Sequence, residues 1–197
     1  MRSAALRATF VVGLCALSSG LGACGPSAGS QIAERLAEGQ AALADDPSAA
    51  LQIARKALLE LGEDPQLALL AATTCIQLGR RGEALTHAEQ GLAGERELPE
   101  DVAADLAWAQ GFALMGRYHD LHAEDDWRAA NTTLERATTA GSHRAEAAFL
   151  LAALQDMGQH RDDERQLKYA RLLAQLDPDG PRTAELRAVL EKKGLSF

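Results

Sequence analysis

The residues with the greatest capacity for chemistry fall together in one short stretch, His119-Asp120-Leu121-His122, followed by Glu124, Asp125 and Asp126. Two imidazoles at i and i+3 share a face if the stretch is helical, and a neighbouring carboxylate would supply a third ligand of the kind zinc accepts. The competing assignment is a solvated loop or helix start, where the acids stabilise exposed amides ahead of Trp127. That second assignment is the expected one. His87, His143 and His160 stand alone in the sequence and are expected at the surface. Cys75 lies inside the apolar run from Leu67 to Leu78, where a free thiol ordinarily behaves as a small buried hydrophobe. There is no Cys-x-x-Cys, His-Glu-x-x-His or Gly-x-Ser-x-Gly, and no Gly-rich phosphate loop after a strand. No catalytic residue, cofactor or enzymatic activity is therefore assigned.

The elements that would position these side chains are helices. The chain of 197 residues has 40 Ala and 31 Leu against 4 Val and 3 Ile. Strands need the β-branched and aromatic residues that are scarce here, so a sheet-based domain is excluded and one all-α domain is expected. Aromatics are only 4% of the chain, leaving a core of Leu and Ala in closely packed helices. Twenty basic residues against 28 acidic ones make a formal charge of -8. Phosphate binding calls for a basic surface, so nucleic acid is not an expected partner.

At the N-terminus Arg2 and Arg7 precede an uncharged run from Ala8 to Leu17, then Ser18, Ser19, Gly20 and Leu21-Gly22-Ala23-Cys24. This has the positive, apolar and small-residue parts of a secretory signal. A spanning helix needs roughly 20 predominantly apolar residues, and the chain beyond Leu17 is rich in Gly, Ser and Pro. Leu-Gly-Ala-Cys resembles the bacterial lipobox. That resemblance implies a signal peptide over 1–23, a diacylglycerol on Cys24 as the first mature residue, and membrane attachment through two or three acyl chains, enough for stable anchoring. Gly25 after the Cys implies sorting to the outer membrane, facing the periplasm. Loss of Arg2 and Arg7 would take the charge to -10. Residues 24–30 are expected to form the lipidated Cys and a flexible tether reaching about 13 Å. Cys15 would leave with the signal, so Cys75 would be the one free thiol of the mature chain, with no intramolecular disulfide.

The remainder, 31–193 with a short tail at 194–197, shows an internal period. Ala50-Leu51-Gln52-Ile53-Ala54-Arg55-Lys56-Ala57-Leu58 aligns with Ala84-Leu85-Thr86-His87-Ala88-Glu89-Gln90-Gly91-Leu92 at an offset of 34 residues. Small residues recur at spacings of 3, 4 and 7, the stripe of one helix face. A helix ending at Leu78, a Gly79-Arg80-Arg81-Gly82 turn and a second helix from Glu83-Ala84 complete a unit. Together these features resemble the tetratricopeptide repeat. Other units are expected with first helices at Gln31 to Ala44, Glu100 to Met115 and Arg144 onward. In the third, Gly116-Arg117-Tyr118 matches the family's turn, and about nine residues are inserted before Trp127. A polar helix from Thr183 to Lys193 would cap the stack. The resemblance implies a right-handed superhelical stack of about four helix-turn-helix repeats plus the capping helix.

It also implies a concave binding groove lined by the first helix of each repeat. The candidates are Ile32, Arg35 and Leu43, then Gln66, Leu69, Thr73, Ile76 and Gln77, then Leu106, Gln110 and Leu114, and last Ala148, Gln155 and Asp156. Only Arg35 suits a clamp for a peptide C-terminus, so an unidentified protein partner is expected to dock through apolar anchors. The expected role is a lipid-anchored, non-catalytic adaptor in envelope assembly, secretion or pilus biogenesis. The alternatives are a metal-binding or hydrolytic envelope protein using His119 and His122, or a self-associating structural lipoprotein.

Overall fold

The computed structural model describes residues 27–94, 97–157 and 160–197. Among them every regular element is a helix: α1 (Ala28–Leu43), α2 (Pro47–Leu61), α3 (Pro65–Gln77), α4 (Arg81–Leu92), α5 (Glu100–Leu121), α6 (Glu124–Ala137), α7 (Arg144–Leu154), α8 (Asp163–Leu176) and α9 (Pro181–Lys192). Pro47, Pro65 and Pro181 each open a helix, where a missing N–H costs nothing and the fixed φ is already helical. Asp46 and Asp64 cap the first two. Asp46 accepts from the Ala49 N–H at 3.0 Å, and Asp64 accepts from those of Gln66 and Leu67 at 3.0 and 3.1 Å.

The 34-residue period corresponds to a buried stripe. Ala50, Leu51, Ala54 and Ala57 of α2 are buried, and so are Ala84, Leu85, Ala88 and Gly91 at the matching places of α4. Small side chains there let α3 come close on both sides. The stack is built one neighbour at a time. Each helix packs on the next along the chain, and the odd-numbered helices also pack on one another, α1 on α3, α3 on α5, α5 on α7 and α7 on α9. The backbones of the even-numbered helices stay apart. Long side chains span those gaps, Arg55 of α2 pairing with Glu83 of α4, and Arg165 and Tyr169 of α8 with Glu135 of α6. The odd helices are therefore the crowded inner layer and the even helices the spread outer one.

The third unit departs from expectation. The Gly116-Arg117-Tyr118 segment is not a turn, because α5 runs on through it to Leu121, and the rest of the insertion is the short turn and the first residues of α6. Tyr118 is buried, and Arg117 makes a two-pronged bond to Asp126 of α6, Nε to Oδ2 at 2.7 Å and Nη2 to Oδ1 at 2.5 Å. Those contacts outweigh the intrinsic cost of about 1 kcal/mol for a glycine inside a helix. The actual turn is His122-Ala123, with His122 in the left-handed region at φ 54° and its N–H bonded to the Tyr118 carbonyl at 2.7 Å.

At the N-terminal end Ala28–Ser30, placed in the tether by sequence, form the first turn of α1, capped by Ser27. The signal segment and Cys24 lie outside the described residues. At the other end Leu195 and Phe197 turn back onto the core, with Arg187 over the Phe197 ring. No helix among the described residues is long and apolar enough to cross a membrane.

Candidate functional site

The inner layer carries an open cleft of about 630 Å³. Each contributing helix supplies one face. Leu36, Gln40 and Leu43 come from α1 at spacings of 4 and 3. From α3 come Gln66, Leu69, Leu70, Thr73, Ile76 and Gln77, from α5 Asp101, Val102, Asp105 and Trp108, and from the start of α7 Ser142, His143 and Glu146. Such spacing places the side chains in a single stripe per helix. Leu70, Val102 and Trp108 are buried and form the floor, while Gln40, Gln66, Gln77 and Asp101 stand exposed at the rim. The Thr73 hydroxyl is turned back on its own helix, donating to the carbonyls of Leu69 and Leu70 at 2.9 and 3.0 Å.

One corner holds a dense polar cluster. Asp105 Oδ1 accepts the backbone N–H of Ser142 at 2.8 Å and of His143 at 3.2 Å, and Ser142 Oγ donates to Asp105 Oδ2 at 2.9 Å. The His143 ring lies flat on Trp108, centroids 3.8 Å apart and planes 11° from parallel. Burial pushes the Asp105 carboxyl up, but the hydrogen bonds from His143 and Ser142 outweigh it and hold it below the ordinary carboxylate value. Ser, His and Asp are the residue types of a nucleophilic relay, which needs the acid on one ring nitrogen and the serine on the other. Here Ser142 Oγ and Asp105 Oδ1 both approach His143 Nδ1, at 3.0 and 3.1 Å. That geometry makes a helix cap supplied from another helix.

The expected groove residues divide. Gln66, Leu69, Thr73, Ile76 and Gln77 of α3 all line the cleft, as does Leu43 of α1. Arg35 does not. It faces α2 and bonds Glu38 at 2.8 Å. Ile32 and Gln110 are outside the lining, and Leu106, Leu114 and Ala148 are core. Gln155 is fully buried and donates to Asn131 of α6 at 2.7 Å, whereas Asp156 pairs with Lys193 beyond α9. The slip in the third unit has a simple cause. Core and groove stripes on α5 are neighbouring faces of one helix, and the register moved from Leu106, Gln110 and Leu114 to Asp101, Asp105 and Trp108. The Asp105 cluster was missed because its partners are 37 and 38 residues away along the chain.

His119 and His122 are both exposed, His119 beside Asp120 and His122 in the turn after α5. Among the described residues no group of three or more His, Cys, Asp or Glu side chains is placed to hold a metal ion. His160, expected at the surface, is mostly covered. It stacks on Trp127 at 4.3 Å, with Nε2 2.6 Å from Glu124 Oε2. His87 is half-buried, and burial together with Arg55 lowers its pKa. Cys75 is fully buried in the core, and burial pushes its thiol up, away from the reactive thiolate. A second cleft of about 850 Å³ opens on the outer layer, lined by Leu58, Pro65, His87 and the exposed Leu59 among others. Neither a family model nor a curated protein nor a solved structure matches this chain.

Proposed function

We propose that the chain is a lipid-anchored, non-catalytic adaptor of a bacterial envelope, a tetratricopeptide-like stack that holds a segment of a partner protein in its inner cleft. The observation that carries this is the cleft itself, built from one face each of α1, α3, α5 and the start of α7. Alternate helices presenting a continuous lining, with half-buried Leu36, Leu43, Leu69 and Ile76 between exposed amides, suit a helix or extended segment laid along it. The lipobox-like Leu21-Gly22-Ala23-Cys24 supports the anchor. With the first turn of α1 beginning at Ala28, the intervening chain is short and the cleft stays near the bilayer.

A single cellular experiment tests both parts. A photo-crosslinking residue is placed at Gln66 or Gln77 on the cleft rim, or at the exposed Gln52 on the outer layer, in chains with and without Cys24→Ala. The expected outcome is discrete adducts from Gln66 and Gln77 but not Gln52, in the membrane fraction, with the Cys24→Ala chain released from it. Equal adducts from all three positions would sink the docking site, and full membrane retention of the Cys24→Ala chain would sink the anchor.

A further inference from the structure

The two walls of the cleft differ in charge. The α1 and α3 wall has five aliphatic side chains with amides and Thr73, and no ionisable group. The α5 and α7 wall carries all three carboxylates of the lining, Asp101, Asp105 and Glu146, and no Lys or Arg lines the cleft anywhere. Two of the three are engaged. Asp105 caps the turn before α7, and Glu146 Oε1 lies 2.6 Å from Arg182 Nη2. Asp101 is exposed and makes no side-chain hydrogen bond or ion pair among the described residues. A second group in the same lining is also unsatisfied. Trp108, 5% exposed, has an indole N–H with no acceptor.

Taking the cleft as the docking site, we propose that its occupant is an amphipathic segment of another protein whose apolar side chains face α1 and α3 and whose Lys or Arg side chains face Asp101. A cation there completes a charge-assisted hydrogen bond, and an acidic segment meets the unpaired Asp101 on a chain already at -8. A second copy of this chain is disfavoured by the same net charge. Attraction of this kind steers encounter and weakens with salt.

The test uses the full chain in detergent and two labelled peptides of roughly 18 residues. Both share one Leu, Ala and Gln face, and they differ only in carrying Lys or Glu along one edge. Fluorescence anisotropy is expected to show the Lys peptide binding about tenfold more tightly, with the difference shrinking as salt is raised. Asp101→Asn should reduce that preference and Asp101→Lys abolish it, while Leu69→Asp removes binding of both peptides. Equal binding of the two peptides that Leu69→Asp abolishes overturns the cation preference but leaves the docking site standing. Binding of neither peptide, or binding indifferent to Leu69→Asp, overturns both. Light scattering that shows a dimer made monomeric by Leu69→Asp assigns the cleft to a second copy and overturns the proposal.

Discussion

Asp105 decides where α7 begins. That helix has no side-chain cap of its own, and the carboxylate from α5 accepts two N–H groups that would otherwise lack partners. Gly141 is required beside it. Its φ is 80°, and a Cβ there would lie 2.4 Å from Asp105 Oδ1. Replacing Asp105 by Ala should therefore cost about 1–2 kcal/mol in urea unfolding, the usual value of a lost cap. The same carboxyl makes stability depend on pH. Its folded pKa is depressed from 3.8, so on acidification the unfolded chain takes up the proton first. The contribution is complete above the unfolded value and is lost as pH falls through the folded one. Glu135 acts in the same direction, because burial raises its pKa but the bonds from Tyr169 and Arg165 outweigh that and lower it. Stability is expected to drop as pH is taken below about 4, with a shallower slope in Asp105→Asn. An equal slope in that variant would remove Asp105 from the account.

Among the elements, α5 shows why glycines misled. Gly79 and Gly62 have φ of 71° and 89° and do end helices, as their positions suggest. Gly111 sits inside α5 for the opposite reason, close approach, whereas Gly116 faces only the movable end of the half-exposed Arg81 side chain. A Cβ on Gly116 would meet Arg81 Cδ at 2.6 Å, and one on Gly111 would meet Leu134 Cγ at 2.5 Å and Thr133 Oγ1 at 2.9 Å. Leu134 is fully buried and has nowhere to retreat. Gly111→Ala thus sets a propensity gain of about 1 kcal/mol against an overpacking cost of about 1–3 kcal/mol. The cost should win, and the thermal midpoint should fall. A midpoint that rises would show that α6 moves aside without penalty.

At the level of the whole molecule the stack has unequal ends. Because helices touch only neighbours one or two places along the chain, local stability tracks the burial of each unit. In α1 only Gly39 is buried, whereas α5 buries eleven residues and contacts α3, α4, α6 and α7. The C-terminal end is better closed, since α9 buries Thr183, Leu186 and Leu190 and the chain after it folds back. Native-state hydrogen exchange should therefore run fastest in α1 and slowest in α5. Uniform protection from α1 to α9 would contradict a neighbour-by-neighbour stack. The edge that opens first is also one side of the cleft, so docking of a partner should slow exchange in α1.

Helix content, the positions of Pro47, Pro65 and Pro181 at helix starts, and the buried stripe shared by α2 and α4 are local matters of propensity and period, and the amino-acid sequence determines them. Leu69, Thr73 and Gln77 could be placed in the cleft for the same reason, since α3 sits in the unit with the plain order of helix, Gly turn and second helix. Arg35, Leu106, Gln110 and Leu114 could not be settled locally, because which face of a helix is core and which is groove depends on the angle at which its neighbours cross it. Whether Gly116 breaks a helix or lies inside one, and whether Asp105 stands free or caps a turn 37 residues on, are decided by packing across the stack. Those contacts join distant parts of the chain, and no local period encodes them.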